Sequence, residues 1–368
     1  MEPNGDLPLS SSTFMIILFY GSILVVAFIL FYAKRRNKYC VGSTAAALPP
    51  GPTPWPIVGC LPTIWRKKPR YRWVHKIMEE LNTEIACIRL GKIHVIPVTS
   101  PELAIEFLKT HDSVFASRPI TVTTDIFSDG FLTAGVAPWG NQWKKMRRIL
   151  TSEILSPARH RSMLSKRTEE ADNLLRYVFS LTKTTPTSVN VRSITQHYSG
   201  NVMRRMMFNR RYYGKGRPDG GPATEEEEHI GALFTMLQHV YAFCVSDYMS
   251  CLKAFDLDGH ERIVKKALNV IRKYEEPIID ERVQQWRDGK RKETEDMLDI
   301  FISLKDGNGE PLLSVKEIKA QITLPPGVAA IELSESHQLF LKDPMFALAQ
   351  PRLPESLYPN FEIEKKEF

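Results

Sequence analysis

Hydrophobic and polar positions follow three regimes along the chain. The first has no alternation: residues 13–33, from Thr13 to Ala33, carry no charge. At about 1.5 Å rise per residue, a run of about 21 residues reaches roughly 31 Å, enough to cross a hydrocarbon core. The second is a stiff interruption, LPPGPTPWPIVG at Leu48–Gly59. Its prolines fix φ and remove backbone donors, so it reads as a rigid, non-helical spacer. A ligand for a proline-recognition domain is the competing reading.

The third regime is periodic. Arg70–Leu81 has helical spacing, and residues 85–100 alternate with a turn at Gly91-Lys92, which predicts a strand pair. Ser100-Pro101 opens a helix with a cap residue and a proline at the first helical position. Ser156-Pro157 repeats that device before a long helix predicted to reach Leu181. Further helices are predicted at Val189–Phe208, Glu226–Phe243, Gly259–Trp286 and Glu293–Lys305. Ser314 and Glu317 form a capping-box pattern, so another helix begins there; Pro325-Pro326 cuts it at about Thr323. Gly214–Pro222 is a polar loop whose G-x-G follows no strand, which removes a dinucleotide reading. The run Glu225–Glu228 reads as a solvated helix start, where acidic residues suit the dipole. The fold class is therefore mainly α with a small β-sheet (α+β), preceded by one transmembrane helix.

Charge orients that helix. Glu2 and Asp6 precede the apolar run, while Lys34, Arg35, Arg36 and Lys38 follow it. The positive-inside rule then puts the N-terminus in the lumen and the body in the cytosol, and the flanks favour a retained signal anchor over a cleaved signal peptide. The net charge of +7 points to an anionic membrane face or an acidic partner, with no nucleic-acid partner expected. Five cysteines (Cys40, Cys60, Cys87, Cys244, Cys251) show no C-x-x-C pairing, which favours a reducing compartment. The chain has no H-E-x-x-H, no G-x-S-x-G and no Walker loop, so common hydrolase and nucleotide chemistry is unsupported.

Candidate chemistry lies in PWGNQWKKMRRIL, Pro138–Leu150. Trp143 and Arg147 are four apart and share a helix face. An indole N–H and a guanidinium there would clamp a carboxylate or phosphate. An amphipathic basic helix with Trp143 in the core accounts for the same spacing.

The signal anchor, its basic stop, the P-P-G-P hinge, FASRP (Phe115–Pro119) and W-x-x-x-R together resemble a microsomal cytochrome P-450. The stretches NVMRRMMFNRRYYG (Asn201–Gly214), FCVSDYMSCL (Phe243–Leu252) and residues 256–314 resemble the plant branch that N-hydroxylates amino acids to aldoximes. The resemblance implies an amino-acid substrate, O2, electrons from NADPH through a NADPH-cytochrome reductase, and a haem held by a cysteine thiolate. It implies that Trp143 and Arg147 hold a haem propionate. Lys144, Lys145 and Arg148 would then face the reductase, unless they are a plain solvated face. It also implies a single-pass endoplasmic-reticulum protein in contact with membrane lipid.

The family's F-x-x-G-x-R-x-C-x-G segment is not in this chain, nor are its oxygen-activating A/G-G-x-D/E-T-T helix, its E-x-x-R pair or its P-E-R-F segment. No cysteine here has the glycine-arginine context, so no catalytic residue and no metal ligand are assigned. Residues 324–359 resemble the family's closing segment, with a strand pair expected around residues 340–349. The expected organisation is a lumenal stretch 1–12, an anchor 13–33, and a basic stop with hinge 34–59. An N-terminal P-450 portion 60–323 is then joined across a deletion to the tail 324–368. Its core is expected to be open where the central helix is lost. A catalytically silent chain and a membrane-tethered protein competing for reductase or membrane contacts are both consistent with this. A working enzyme with another iron ligand is the third reading.

Overall fold

A computed structural model of the chain describes residues 19–23, 26, 48–182, 187–323, 345–352, 354 and 357–358. They fall into two units, one within Met1–Asp112 and one within Ser113–Phe368. Among the described residues no helix is long and apolar enough to cross a membrane. The expected span 13–33, its basic stop and the Leu324–Pro326 junction lie almost wholly outside them.

In the first unit the proline-rich segment is extended, as its composition requires, but it is more than a spacer. The Cys87 amide donates to the Pro50 carbonyl at 2.9 Å, and Gly59 bridges to both Trp55 and Leu90. A Cβ on Gly51 would lie 1.9 Å from the Cys87 carbonyl oxygen, so only glycine lets the chain pass there. Helices α1 (Leu61–Arg66) and α2 (Arg70–Glu80) follow. Strands β1 (Ile88–Leu90) and β2 (Ile93–Val95) pair antiparallel about Gly91-Lys92, with Ile88 opposite Val95. Helix α3 (Pro101–Ile105) starts at Ser100, whose Oγ accepts from the Leu103 amide at 3.4 Å.

The second unit is helical. It comprises α4 (Val122–Phe127), α5 (Asn141–Ile149), α6 (Pro157–Ser162), α7 (Leu164–Thr182) and α8 (Val191–Phe208). These are followed by α9 (Thr224–His239), α10 (Val245–Tyr248), α11 (His260–Arg287), α12 (Met297–Ser303) and α13 (Val315–Thr323). The long helix predicted from Pro157 is two helices, because Met163 leaves helical geometry at φ −97° and ψ 9°. The helix predicted from Val189 begins at Val191, where the Asn190 side chain accepts from the Ser193 amide at 3.1 Å. Residues Thr187–Asn190 form strand β3 instead, pairing antiparallel with β4 (Phe346–Ala349) so that Val189 faces Ala347. The tail strand therefore pairs across the chain; residues 340–344 lie outside the described set. The acidic run at Glu225–Glu228 is not wholly solvated. Glu226 is buried, and its carboxylate accepts from the amides of Tyr213 (2.7 Å) and Ala223 (3.2 Å).

Two apolar clusters organise this unit. One joins α5, α8, α11, α12 and α13 through Met146, Phe208, Ile279, Leu298, Phe301, Ile318 and Ile322. The other joins α4, α9 and α11 through Phe127, Met236, Leu268 and Ile271. Phe127 is thus core. Helix α13 is buried along its last turns at Glu317, Ile318 and Ala320–Thr323; the expected opening beyond Thr323 lies outside the described residues. Elsewhere large apolar side chains are open to solvent, including Val114, Ile120 and Phe255.

Candidate functional site

Helix α5 is amphipathic by sequence, and its burial follows. Met146 and Ile149 enter the core, while Lys144, Arg147 and Arg148 are exposed and Trp143 is half-buried. Trp143 is therefore not a core residue in the ordinary sense. Its ring centroid lies 4.8 Å from that of Trp139, and the Arg118 guanidinium carbon lies 5.9 Å from its ring. Arg118 belongs to the FASRP motif, so two segments singled out in the sequence meet at one indole. Among the described residues, nothing accepts from the Trp143 indole N–H, and no carboxylate pairs with Arg118 or Arg147. Arg147 stands exposed one turn along the helix, so the meeting in the structure is that of Trp143 with Arg118 and Trp139.

Helix α13 fixes the other side of α5. Lys145 Nζ donates to Glu317 Oε1 at 2.7 Å, and Gln142 Nε2 donates to the same oxygen at 3.0 Å. Lys145 is thus committed inward and does not join Lys144 and Arg148 on the exposed basic face. The capping box is present: Glu317 Oε2 accepts from the Ser314 amide at 2.9 Å, and Ser314 Oγ accepts from the Glu317 amide at 3.2 Å. Burial opposes ionisation of Glu317, but the bonds from Lys145, Ser314 and Gln142 outweigh it and hold its carboxyl down at about 2. One turn on, Gln321 Oε1 accepts from the Thr133 hydroxyl and the Ala134 amide, both at 3.1 Å. These contacts lock the Leu132–Ala134 loop and α5 onto α13.

The sulfur side is different. Cys60 is buried, and burial raises its thiol pKa against the pull of Arg89. Burial also raises that of Cys87. Burial first, and then the carboxylates of Asp247 and Asp258, push the Cys244 thiol up to about 11. Cys251 is exposed on a short 3-10 turn, Ser250–Phe255. Cys40 lies outside the described residues. A bound metal deprotonates its own thiol ligand, so these raised values describe the metal-free thiols and do not decide ligation. Trp143, Arg147 and Arg118 are the donors that would hold the anionic edge of a haem, and no described cysteine stands beside them. Arg118 is the member that sequence reasoning did not assign, although the FASRP motif pointed to it.

The described body is mainly helical with small antiparallel sheets and carries the tryptophan–arginine helix. The Cytochrome P450 family model matches residues 49–324, and the chain belongs to that family. It is 57% identical over 303 residues to a tryptophan N-monooxygenase from Prunus mume, covering 82% of this chain and 56% of the relative. It is 52% identical over 305 residues to isoleucine N-monooxygenase 1 from Lotus japonicus, covering 82% of this chain and 57% of the relative. A tyrosine N-monooxygenase from Sorghum bicolor is 47% identical over 324 residues, with 85% of this chain and 58% of the relative covered. These relatives are the amino-acid N-monooxygenases that the sequence resembles. The chain spans little more than half of their length.

Proposed function

We propose that this chain derives from an amino-acid N-monooxygenase and is catalytically silent. It keeps the anion-holding edge of the haem site and lacks the iron ligand. The observation that carries this is the setting of its cysteines. None of the five cysteines has the glycine-arginine context that the resemblance leads one to expect of a haem ligand. The resemblance of residues 324–359 to the family's closing segment supports an internal loss rather than a simple shortening. When bound, a haem supplies oxygen activation; the residues of this chain would hold its propionate through Trp143, Arg147 and Arg118.

The substrate class of the lineage is an amino acid, as the names of the relatives state for tryptophan, isoleucine and tyrosine. Electrons would come from NADPH through a reductase. The test is turnover of those three amino acids in membranes supplied with reductase, NADPH and O2. No aldoxime is expected, and aldoxime above a mock-membrane control would overturn the reading. The clamp is tested separately by titrating the chain with hemin. Weak binding is expected, with affinity falling at least about ten-fold in an Arg118→Ala/Arg147→Ala variant. Equal affinity would remove the clamp.

A second reading, a membrane-tethered protein that competes for reductase contacts, is favoured by the exposed Lys144, Arg147 and Arg148 on α5. Pull-down of reductase from microsomes tests it. Capture by the chain and loss in a Lys144→Ala/Arg148→Ala variant would support it, and no capture would end it. The location assigned is the endoplasmic-reticulum membrane, single-pass with the body in the cytosol. Resistance to alkaline carbonate extraction and sensitivity of the body to added protease are the expected outcomes; release by carbonate would contradict the anchor.

A further inference from the structure

Outside the candidate haem site, three metal-ligating side chains converge. The Cys244 sulfur, an Asp258 carboxylate oxygen and a His260 ring nitrogen all lie within 4.8 Å of one another. Cys244 and His260 are buried, with 1% and 5% exposure, and Asp258 is half-buried. The local fold explains the convergence. Cys244 is the residue before α10, and His260 is the first residue of α11. Asp256 and Gly259 both adopt positive φ, at 39° and 66°, which turns the DLDGH segment back towards Cys244. Asp256 takes the capping task on α11, accepting from the Glu261 and Arg262 amides at 3.0 and 3.1 Å. Asp258 is thereby freed to face α10. Its Oδ2 accepts from the Val245 amide at 3.1 Å, and its Oδ1 lies 3.8 Å from the Cys244 sulfur.

Two further features separate this cluster from an ordinary loop tie. His260 Nε2 lies 3.1 Å from the His239 carbonyl oxygen. As donor to that carbonyl it leaves the Nδ1 lone pair available, the arrangement that orients a metal-binding imidazole. The cluster is also crowded with acceptors. Asp247 is spent on the Val122 amide at 2.8 Å, and among the described residues neither Asp247 nor Asp258 has a salt bridge to lysine or arginine. Lys253 and His260 are the positive or titratable groups that act on Asp247, without an ion pair to either.

We propose that Cys244, Asp258 and His260 bind a thiophilic divalent cation, zinc being the best match, with the fourth position open to water. Sulfur, nitrogen and oxygen donors in one set are the zinc combination, at about 2.0–2.3 Å each in a tetrahedral site. Such bond lengths put donors roughly 3.4–3.6 Å apart, so binding draws the widest pair together by about 1 Å. The thiol loses its proton to solvent as the sulfur–metal bond forms, and no electron transfer is involved. The metal would tie the segment before α10 to the start of α11. This site is independent of the haem reading.

The test uses the full chain in detergent, stripped with chelator and titrated with Co2+ as a spectroscopic stand-in for zinc. One equivalent is expected to give a sulfur-to-cobalt charge-transfer band in the near ultraviolet, abolished by added Zn2+. The band should persist in Cys251→Ser and disappear in Cys244→Ser. Affinity should fall at least about ten-fold in His260→Gln. Far-ultraviolet circular dichroism checks that each variant is folded. A measurement on the unaltered chain stands beside these: after gel filtration with Zn2+, elemental analysis should find one zinc per chain. No charge-transfer band, a band that survives Cys244→Ser, or no retained zinc would overturn the proposal.

Discussion

Glu317 receives Lys145 and Gln142 from α5 while its second oxygen caps its own helix. Its carboxyl is held at about 2, below the ordinary value of 4.5. A depressed carboxylate contributes its stability in full above the unfolded pKa and loses it as pH falls through the folded one. The contribution is therefore complete above about pH 4.5 and lost between 4.5 and 2. Glu317→Gln should cost about 1–3 kcal/mol at neutral pH, because it strands Lys145 and weakens the cap. The gap between wild type and variant, read by urea denaturation in detergent, should close as pH falls towards 2. A gap that does not change with pH would contradict the assignment. Half of this residue's role was legible in the sequence. The Ser314–Glu317 spacing gives the cap, since capping is local. The Lys145 partner lies on another helix, and no local pattern points to it. Arg118 is the same case, with its motif visible and its contact to Trp143 not.

Elements show where periodicity is a sufficient guide. The strand pair about Gly91-Lys92, the Ser-Pro helix starts and α11 all follow from local spacing and capping. Two elements do not. The apolar spacing runs on through Met163, so the break between α6 and α7 leaves no mark in the pattern. Strand β3 owes its existence to β4, whose residues stand far along the chain, and strand propensity depends on such partners. Glu226 is a third instance, because its burial depends on the Tyr213 amide beyond the helix it starts. The hinge offers a direct test. Gly51→Ala would set a Cβ 1.9 Å from the Cys87 carbonyl and prise the proline-rich segment off β1. We expect a loss of at least about 2 kcal/mol and faster amide exchange at Cys87. Unchanged exchange there would show that the segment is only a spacer.

The whole molecule is a P450 chain by family and a partial one by coverage. Its fold class was legible because the tryptophan–arginine helix, the hinge and the longer branch-specific stretches are contiguous in sequence. The retained part of the shortened central helix packs Ile318 and Ile322 among Met146, Leu298 and Phe301. Which side chains meet in such a cluster is not specified by spacing alone.

The central claim is that the chain keeps the anion clamp and lacks the iron ligand. The measurement that tests it most directly is a reduced-plus-CO difference spectrum of the purified, hemin-supplied chain. The account predicts no thiolate-type Soret band, either because no haem is retained or because the retained haem has another ligand. A thiolate-type band would contradict it, and would require a cysteine of this chain to serve as the axial donor.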